Sequence, residues 1–352
     1  AKLAEFTFDA EAEGGVYAGG NAQAAAKGQC QTKVKYGEDS ALYLNGADSF
    51  INITSKDGGS ILKGKENITV SYDAKPEKGE KSWTFFAAPN ADGQTYQQEH
   101  YLGILHTSAN LLLERYNNSN GRPGNNIEAT AGSDWMHVDM VVSENATKLY
   151  VNGVLAGESA SDYKLSDIVG SAGGVLQVGK GNWDNGEYFK GFIDNYRVYD
   201  GILSEEEIKT QYQEFEAMLD AIAKAEEEDK KQQEEEAKKQ ALQKDYDALE
   251  ILNSDDVRGN LALVRTGRYK STIEWTSSNP AVVTDSAEGG LYDGGVVTRP
   301  EAGQAAVKVT LTAELTSAYT GEKKTKEFEV TVQPEEANPD TDYSKGYLWT
   351  NF

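Results

Sequence analysis

Two kinds of residue in this chain have the type and setting to do chemistry. The first is a carboxylate inside an apolar strand. Asp194 lies in residues 191–199, GFIDNYRVY. Strand alternation places Phe192 and Tyr196 on one face there, and Ile193, Asn195 and Arg197 on the other. An acid among apolar neighbours is costly unless something neutralises it, and a bound cation would do so. A backbone amide or Arg197 is the alternative partner. The second kind is an aromatic ring among polar residues. Trp183 sits in GNWDNGE, and Tyr188, Tyr96, Tyr101 and Tyr116, with the cation Arg115, come from loops or strands that could line one edge or face. Such rings stack on sugar rings while polar side chains hold the hydroxyls. Trp183 is the best of them, because Gly, Asn and Asp surround it. Each ring taken singly is better explained by packing. Trp83 and Trp135 stand inside apolar runs and are expected in a core.

Signatures of catalysis are missing. A glycosidase needs two carboxyls at a set separation in one cleft. Acids are abundant here, but FEAMLD and EEEDKK read as helix, not as strand facing a cleft. There is no Gly-x-Ser-x-Gly, no His-Glu-x-x-His and no phosphate loop. The expected catalytic set is therefore empty.

The 352 residues carry a net charge of −23. That sign argues against a nucleic-acid partner, whose phosphates need a basic surface, and against an anionic membrane. It suits solubility, and it supplies oxygen ligands for a hard cation. The single cysteine, Cys30, excludes an internal disulfide framework, and His100, His106 and His137 make no metal-ligand pattern. No apolar run is long enough to span a bilayer.

These residues must be positioned by elements that the pattern makes legible. Residues 1–203 form short alternating runs broken by Gly, Asn and Asp, with good strands at 68–76, 82–88, 100–106, 110–116 and 137–143. That spacing predicts a β-sandwich. A capping box of Ser204 and Glu207 then opens a helix with an apolar stripe at Ile208, Tyr212, Phe215, Leu219 and Ile222. From Lys224 to Lys239 the stripe gives way to Glu, Lys, Gln and Ala, a solvated spacer without coiled-coil heptads. A continuous helix of about 45 residues would span roughly 65–70 Å. Residues 245–334 return to short strands around Ser, Asn, Gly and Pro turns, with Trp275 and Leu311 as core candidates.

Several segments resemble known families. IDNYRVY followed by LSEEEI is similar to the end of a laminin-G-like domain of the concanavalin A-like class. LAEFTFD resembles its opening strand, SALYLNGADSFINI its second strand pair, KLYVNGVLAG a hairpin and VLQVGKGNW a later strand, in the family's order. Residues 255–263, DDVRGNLAL, with WTSSNPAVV and GVVTRP, resemble the atrophied bacterial immunoglobulin-like domain. The last residues, GYLWTNF, are similar to the opening strand of the five-bladed propeller of bacterial enzymes like glycoside hydrolase family 43.

The resemblances imply a mostly β protein: a concanavalin A-like jelly-roll sandwich over 1–203, a long connecting helix over 204–244 and an immunoglobulin-like sandwich over 245–334. They imply a linker and the first strand of a further domain over 335–352. They also imply a structural calcium held by Asp9, the carbonyl of Gly46 and Asp194. The expected role is the carbohydrate-binding or domain-positioning part of a secreted bacterial polysaccharide-degrading enzyme. The expected partners are an arabinose- or xylose-type polysaccharide or oligosaccharide and a downstream catalytic domain of the same polypeptide. A cell-surface adhesion or spacer protein is the alternative.

Overall fold

The computed structural model describes residues 1–77, 79–91, 100–117, 126–183, 185–286 and 294–338. The chain divides into two compact units, Ala1–Glu227 and Glu228–Phe352. Tyr96 and the terminal GYLWTNF lie outside the described residues.

In the first unit the strands are, in chain order, β1 (Lys2–Phe6), β2 (Val16–Gly19), β3 (Ala22–Lys27), β4 (Gln31–Tyr36), β5 (Asp39–Asn45), β6 (Phe50–Ser55), β7 (Ile68–Pro76) and β8 (Ser82–Ala88). They continue with β9 (Tyr101–His106), β10 (Asn110–Tyr116), β11 (Ile127–Thr130), β12 (Met136–Val142), β13 (Ala146–Val151), β14 (Val154–Ala160), β15 (Val175–Val178) and β16 (Lys190–Asp200). A short helix, α1 (Leu165–Val169), precedes β15. One sheet runs β14-β13-β12-β7-β16-β5-β4, with β1 also on β16; the other runs β11-β10-β9-β8-β15-β6-β3-β2. Alternation gives each sheet one apolar face, and the two faces meet around Phe6, Leu42, Tyr72, Phe85, Ile104, Leu113, Met140 and Ile193.

The opening and closing strands lie side by side. One edge of β16 pairs first with β5, Ile193 opposite Leu42, and then with β1, Phe6 opposite Tyr196. The change of partner coincides with a bulge between Asp194 and Arg197, where Asn195 takes a positive φ of 46°. The extra residue shifts the alternation. Tyr196 therefore points inward with Ile193, stacked on Tyr72 at 5.1 Å, rather than outward with Phe192. Simple period-two reading fails from the bulge onward, and Asn195 and Arg197 face outward instead of lying with Ile193, because a bulge leaves no mark on apolar pattern.

The helix α2 (Glu205–Ala248) runs unbroken through Asp229. Its capping box forms as the sequence requires: Glu207 N–H donates to Ser204 Oγ at 3.2 Å, and Ser204 N–H to Glu207 Oε2 at 2.7 Å. Three glutamates in the first turn favour the helix dipole. In the first unit, Ile208, Phe215 and Met218 are buried against the outer face of the first sheet. The charged stretch that follows is almost wholly exposed.

In the second unit Leu242 of α2, with Leu249 just after the helix ends, joins a core with Trp275, Leu311 and Val330. Its sheet is β17 (Thr272–Ser277), β18 (Val307–Thr316) and β19 (Lys323–Val332), in that order. Trp275 Nε1 donates to the Val264 carbonyl at 2.8 Å, so the buried indole is satisfied.

Candidate functional site

Three of the rings expected to bind sugar converge. Trp183, Tyr101 and Tyr116 meet Trp83 and Phe86 in a cluster on the outer face of the second sheet, separate from the main core. Alternation explains the placement: on β9, Tyr101 and Leu105 face out, while Leu102 and Ile104 face in. Trp183 lies on Trp83, centroids 5.1 Å apart and planes 19° apart, with Phe86 and Tyr101 meeting it edge-on. Gly103 makes room for the Trp83 ring, which stands 2.4 Å from where a Cβ would be. Trp183 is half-buried, whereas Trp83 is 2% exposed. Trp83 is thus buried as expected, but in the outer cluster rather than between the sheets.

Carboxylates hold these rings. Trp83 Nε1 donates to Glu187 Oε2 at 2.6 Å, and the Tyr101 hydroxyl donates to Glu114. Gln177 on β15 stands opposite Phe86 in register. It is 2% exposed, and its amide oxygen has no hydrogen-bond partner among the described residues. That acceptor is closed to solvent and lies beside the aromatic cluster. Gln177, Glu114 and Glu187 were not singled out from the sequence. A polar residue at the outward position of the VLQV strand was the signal for Gln177.

Two expected members stand elsewhere. Arg115 points to the opposite side of β10 from Tyr116 and is wholly buried. Its Nη1 donates to the carbonyls of Ser143 (3.0 Å) and Ala146 (3.2 Å) and to Thr147 Oγ1 (2.9 Å), and its Nη2 to the Tyr163 carbonyl (2.7 Å). Burial pushes its pKa down. This arginine braces the interior instead of meeting a ligand. Tyr188 sits apart, near Phe50 at 6.4 Å and under the Lys180 ammonium. Trp135, expected in the core, is half-buried on the outer face of the first sheet, 5.7 Å from Phe192.

A second, polar site lies where α2 begins to cover the first sheet. Asp9, Lys35, Asp73, His137, Asp194 and Asn195 line a cavity of about 220 Å³ there, with Arg197 and Glu214 at its margin. His137 Nδ1 is 2.7 Å from Asp73 Oδ1, and its Nε2 is 3.1 Å from Asp139 Oδ2. Burial disfavours the charged ring, but hydrogen bonds and charge from Asp139 and Asp73 outweigh it and raise the pKa to about 9. Burial likewise raises Asp194 to about 7, against the opposing pull of the Lys35 ammonium. Asn195 Nδ2 donates to Asp73 Oδ2 at 2.8 Å.

Asp9 and Asp194, two of the expected calcium ligands, share this cavity. The third does not. Asp9 Oδ1 accepts from Ser40 N–H at 3.3 Å, and Ile193 stands opposite Leu42. Gly46 is beyond the far end of β5, ~20 Å from Ser40 at about 3.3 Å per residue. Its N–H donates to the Phe189 carbonyl there. The three groups do not share one coordination sphere, and the cation against Asp194 is Lys35. Among the described residues no group of three His, Cys, Asp or Glu is disposed to hold a metal ion. Nor is any helix among them long and apolar enough to cross a membrane.

Residues 38–209 match the family model described as the concanavalin A-like lectin/glucanases superfamily, and residues 236–335 match the atrophied bacterial Ig domain. None of the curated proteins matches the chain significantly. Among solved structures, it is similar to domain 4 of AbnA, a GH43 extracellular arabinanase from Geobacillus stearothermophilus, in complex with arabinotriose. Identity is 21% and TM-score 0.42, over 59% of this chain and 96% of that one. The Ruminococcus gnavus IT-sialidase CBM40 bound to alpha2,3 sialyllactose follows at 18% identity and TM-score 0.40, over 52% and 95%. The binding domain of Paraclostridial Mosquitocidal Protein 1 has 14% identity and TM-score 0.42, over 61% and 52%. The strand order and the family matches together give the fold: a concanavalin A-like sandwich, one long helix and an immunoglobulin-like sandwich.

Proposed function

We propose that the first unit is a non-catalytic glycan-binding module and that its ligand sits on the outer face of the second sheet. The observation that carries this reading is the aromatic cluster of Trp183, Trp83, Phe86, Tyr101 and Tyr116 on the outer face, with Gln177 packed beside it. Trp183 keeps exposed surface while Trp83 fixes its other face. A platform held still before binding loses little entropy when a sugar stacks on it. The carboxylates of Glu114 and Glu187 beside the rings repel an anionic ligand, which favours a neutral, hydroxyl-rich glycan. The match of residues 38–209 to a lectin/glucanase family model supports the same class.

The finer reading is an arabinose- or xylose-type polymer, bound by a secreted bacterial protein whose parent chain degrades it. Calorimetry of the chain with arabino- and xylo-oligosaccharides, and with sialyllactose as an anionic control, tests this. Saturable binding of a neutral oligosaccharide that Trp183→Ala removes supports the site. Unchanged binding in that variant rejects Trp183 as the platform, and absence of binding to all the sugars rejects the function.

A further inference from the structure

We infer that the side chains of Lys35 and Asp194 become joined by an amide bond, which the folded first unit forms on itself. Lys35 belongs to the edge strand β4 and Asp194 to the interior strand β16, with β5 between them in the sheet. Lys35 Nζ stands against Asp194 Oδ2, and the two side chains are 5% and 1% exposed. Both side chains come from breaks in strand register. On β4, Val34 pairs with Ser40 and Tyr36 with Asp39, so Lys35 is the extra residue of a bulge. On β16 the register breaks directly after Asp194. A bulge re-aims the side chain beside it, and these two aim at one point. By contrast, the pairs Lys308–Glu329 and Lys323–Glu314 lie exposed on the surface, where water hydrates both charges.

Burial disfavours both charged forms. Transfer of one proton from the ammonium to the carboxylate leaves a neutral amine against a neutral carboxylic acid. The amine is then a nucleophile held at an acyl carbon, so the fold has already met the entropic cost of bringing the two together. The Nζ–Cγ bond forms, the Cγ–Oδ1 bond breaks, and Oδ1 leaves as water with two of the three ammonium protons. Nothing is oxidised or reduced. Asp194 Oδ1 is buried and has no hydrogen-bond partner among the described residues, so its departure strands no donor. Oδ2 stays as the amide oxygen, and Asn195 Nδ2, 3.4 Å away, faces the charge that develops on it. Asp9 and Asp39, in the wall of the same cavity, can carry protons from the nitrogen to the leaving oxygen. Met218 Sδ lies 3.3 Å from Nζ, and the rings of Tyr36 and Trp135 lie 5.8 and 5.9 Å from it, so bulk water is kept from the amine. The product replaces two buried charges by one neutral amide. It also ties the edge strand to the interior of its sheet through residues 159 apart in the chain.

Intact-mass spectrometry of the full chain under denaturing, reducing conditions tests this, and it does not depend on any variant folding. The wild type is expected to be one water lighter than its sequence requires. Trypsin is expected to leave Lys35 uncut and to release a branched peptide that links it to the segment carrying Asp194. Lys35→Arg, which keeps the positive charge but not the amine, is expected at full mass. Asp194→Ala, which keeps the amine but removes the acyl carbon, is expected at full mass as well. A wild-type chain of full mass overturns the proposal. So does a loss of water that persists in both variants, or one that digestion assigns to other residues.

Discussion

Trp183 lies flat on Trp83, their planes 19° apart, so the ring nearest solvent is backed by one almost wholly buried. The pair divides the work of recognition and support between two tryptophans 100 residues apart in sequence. Replacing each is expected to separate those roles. Trp183→Ala should abolish measurable glycan binding by calorimetry with a small stability loss. Trp83→Ala should cost about 3–5 kcal/mol in denaturant unfolding, because a large buried ring leaves a cavity.

Gln177→Ala provides a second test of the same face. The residue donates no contact to the core between the sheets, so stability should hold within about 1 kcal/mol. Affinity for the oligosaccharide should fall about tenfold, the worth of one hydrogen bond of roughly 1.4 kcal/mol. Unaltered affinity would move the ligand away from β15.

Arg115 is expected to behave as structure alone. Arg115→Met should lower stability by roughly 3 kcal/mol, since three backbone carbonyls and Thr147 lose a buried donor. Sugar affinity of the folded fraction should match wild type, which a binding assay below the unfolding midpoint would check.

The His137 cluster makes stability depend on pH. Its pKa rises from 6.5 unfolded to about 9 folded through Asp73 and Asp139. The stabilisation is therefore complete below about pH 6.5 and disappears as pH climbs through 9. Facing groups are Asp73 and Asp139 on the sheet, Ser71 beside them, and the Tyr212 and Phe215 rings of α2. The urea midpoint should fall between pH 6.5 and 9.5. His137→Gln should lower the midpoint at neutral pH and flatten that slope.

Ser204→Ala should destabilise the start of α2 by about 1 kcal/mol, since it removes the acceptor for Glu207 N–H. Hydrogen exchange of the first helical turn would register it before global unfolding does.

The strand segments and the two β regions were legible in the sequence because alternation and turn residues are local signals. Residues 68–76, 82–88 and 110–116 were delimited as they stand in β7, β8 and β10. The capping box of Ser204 and Glu207 was readable for the same reason: its partners are three residues apart. The sequence also determined that Asp194 needs a neutralising partner, since burial of a charge follows from its apolar neighbours. What that partner is, only the tertiary structure decided. Lys35 lies 159 residues away on another strand, and no local pattern links the two. The bulge that turned Tyr196 inward, and the side of β10 on which Arg115 falls, were likewise settled by packing. A strand's period states which residues share a face, but the fold chooses which face meets the core.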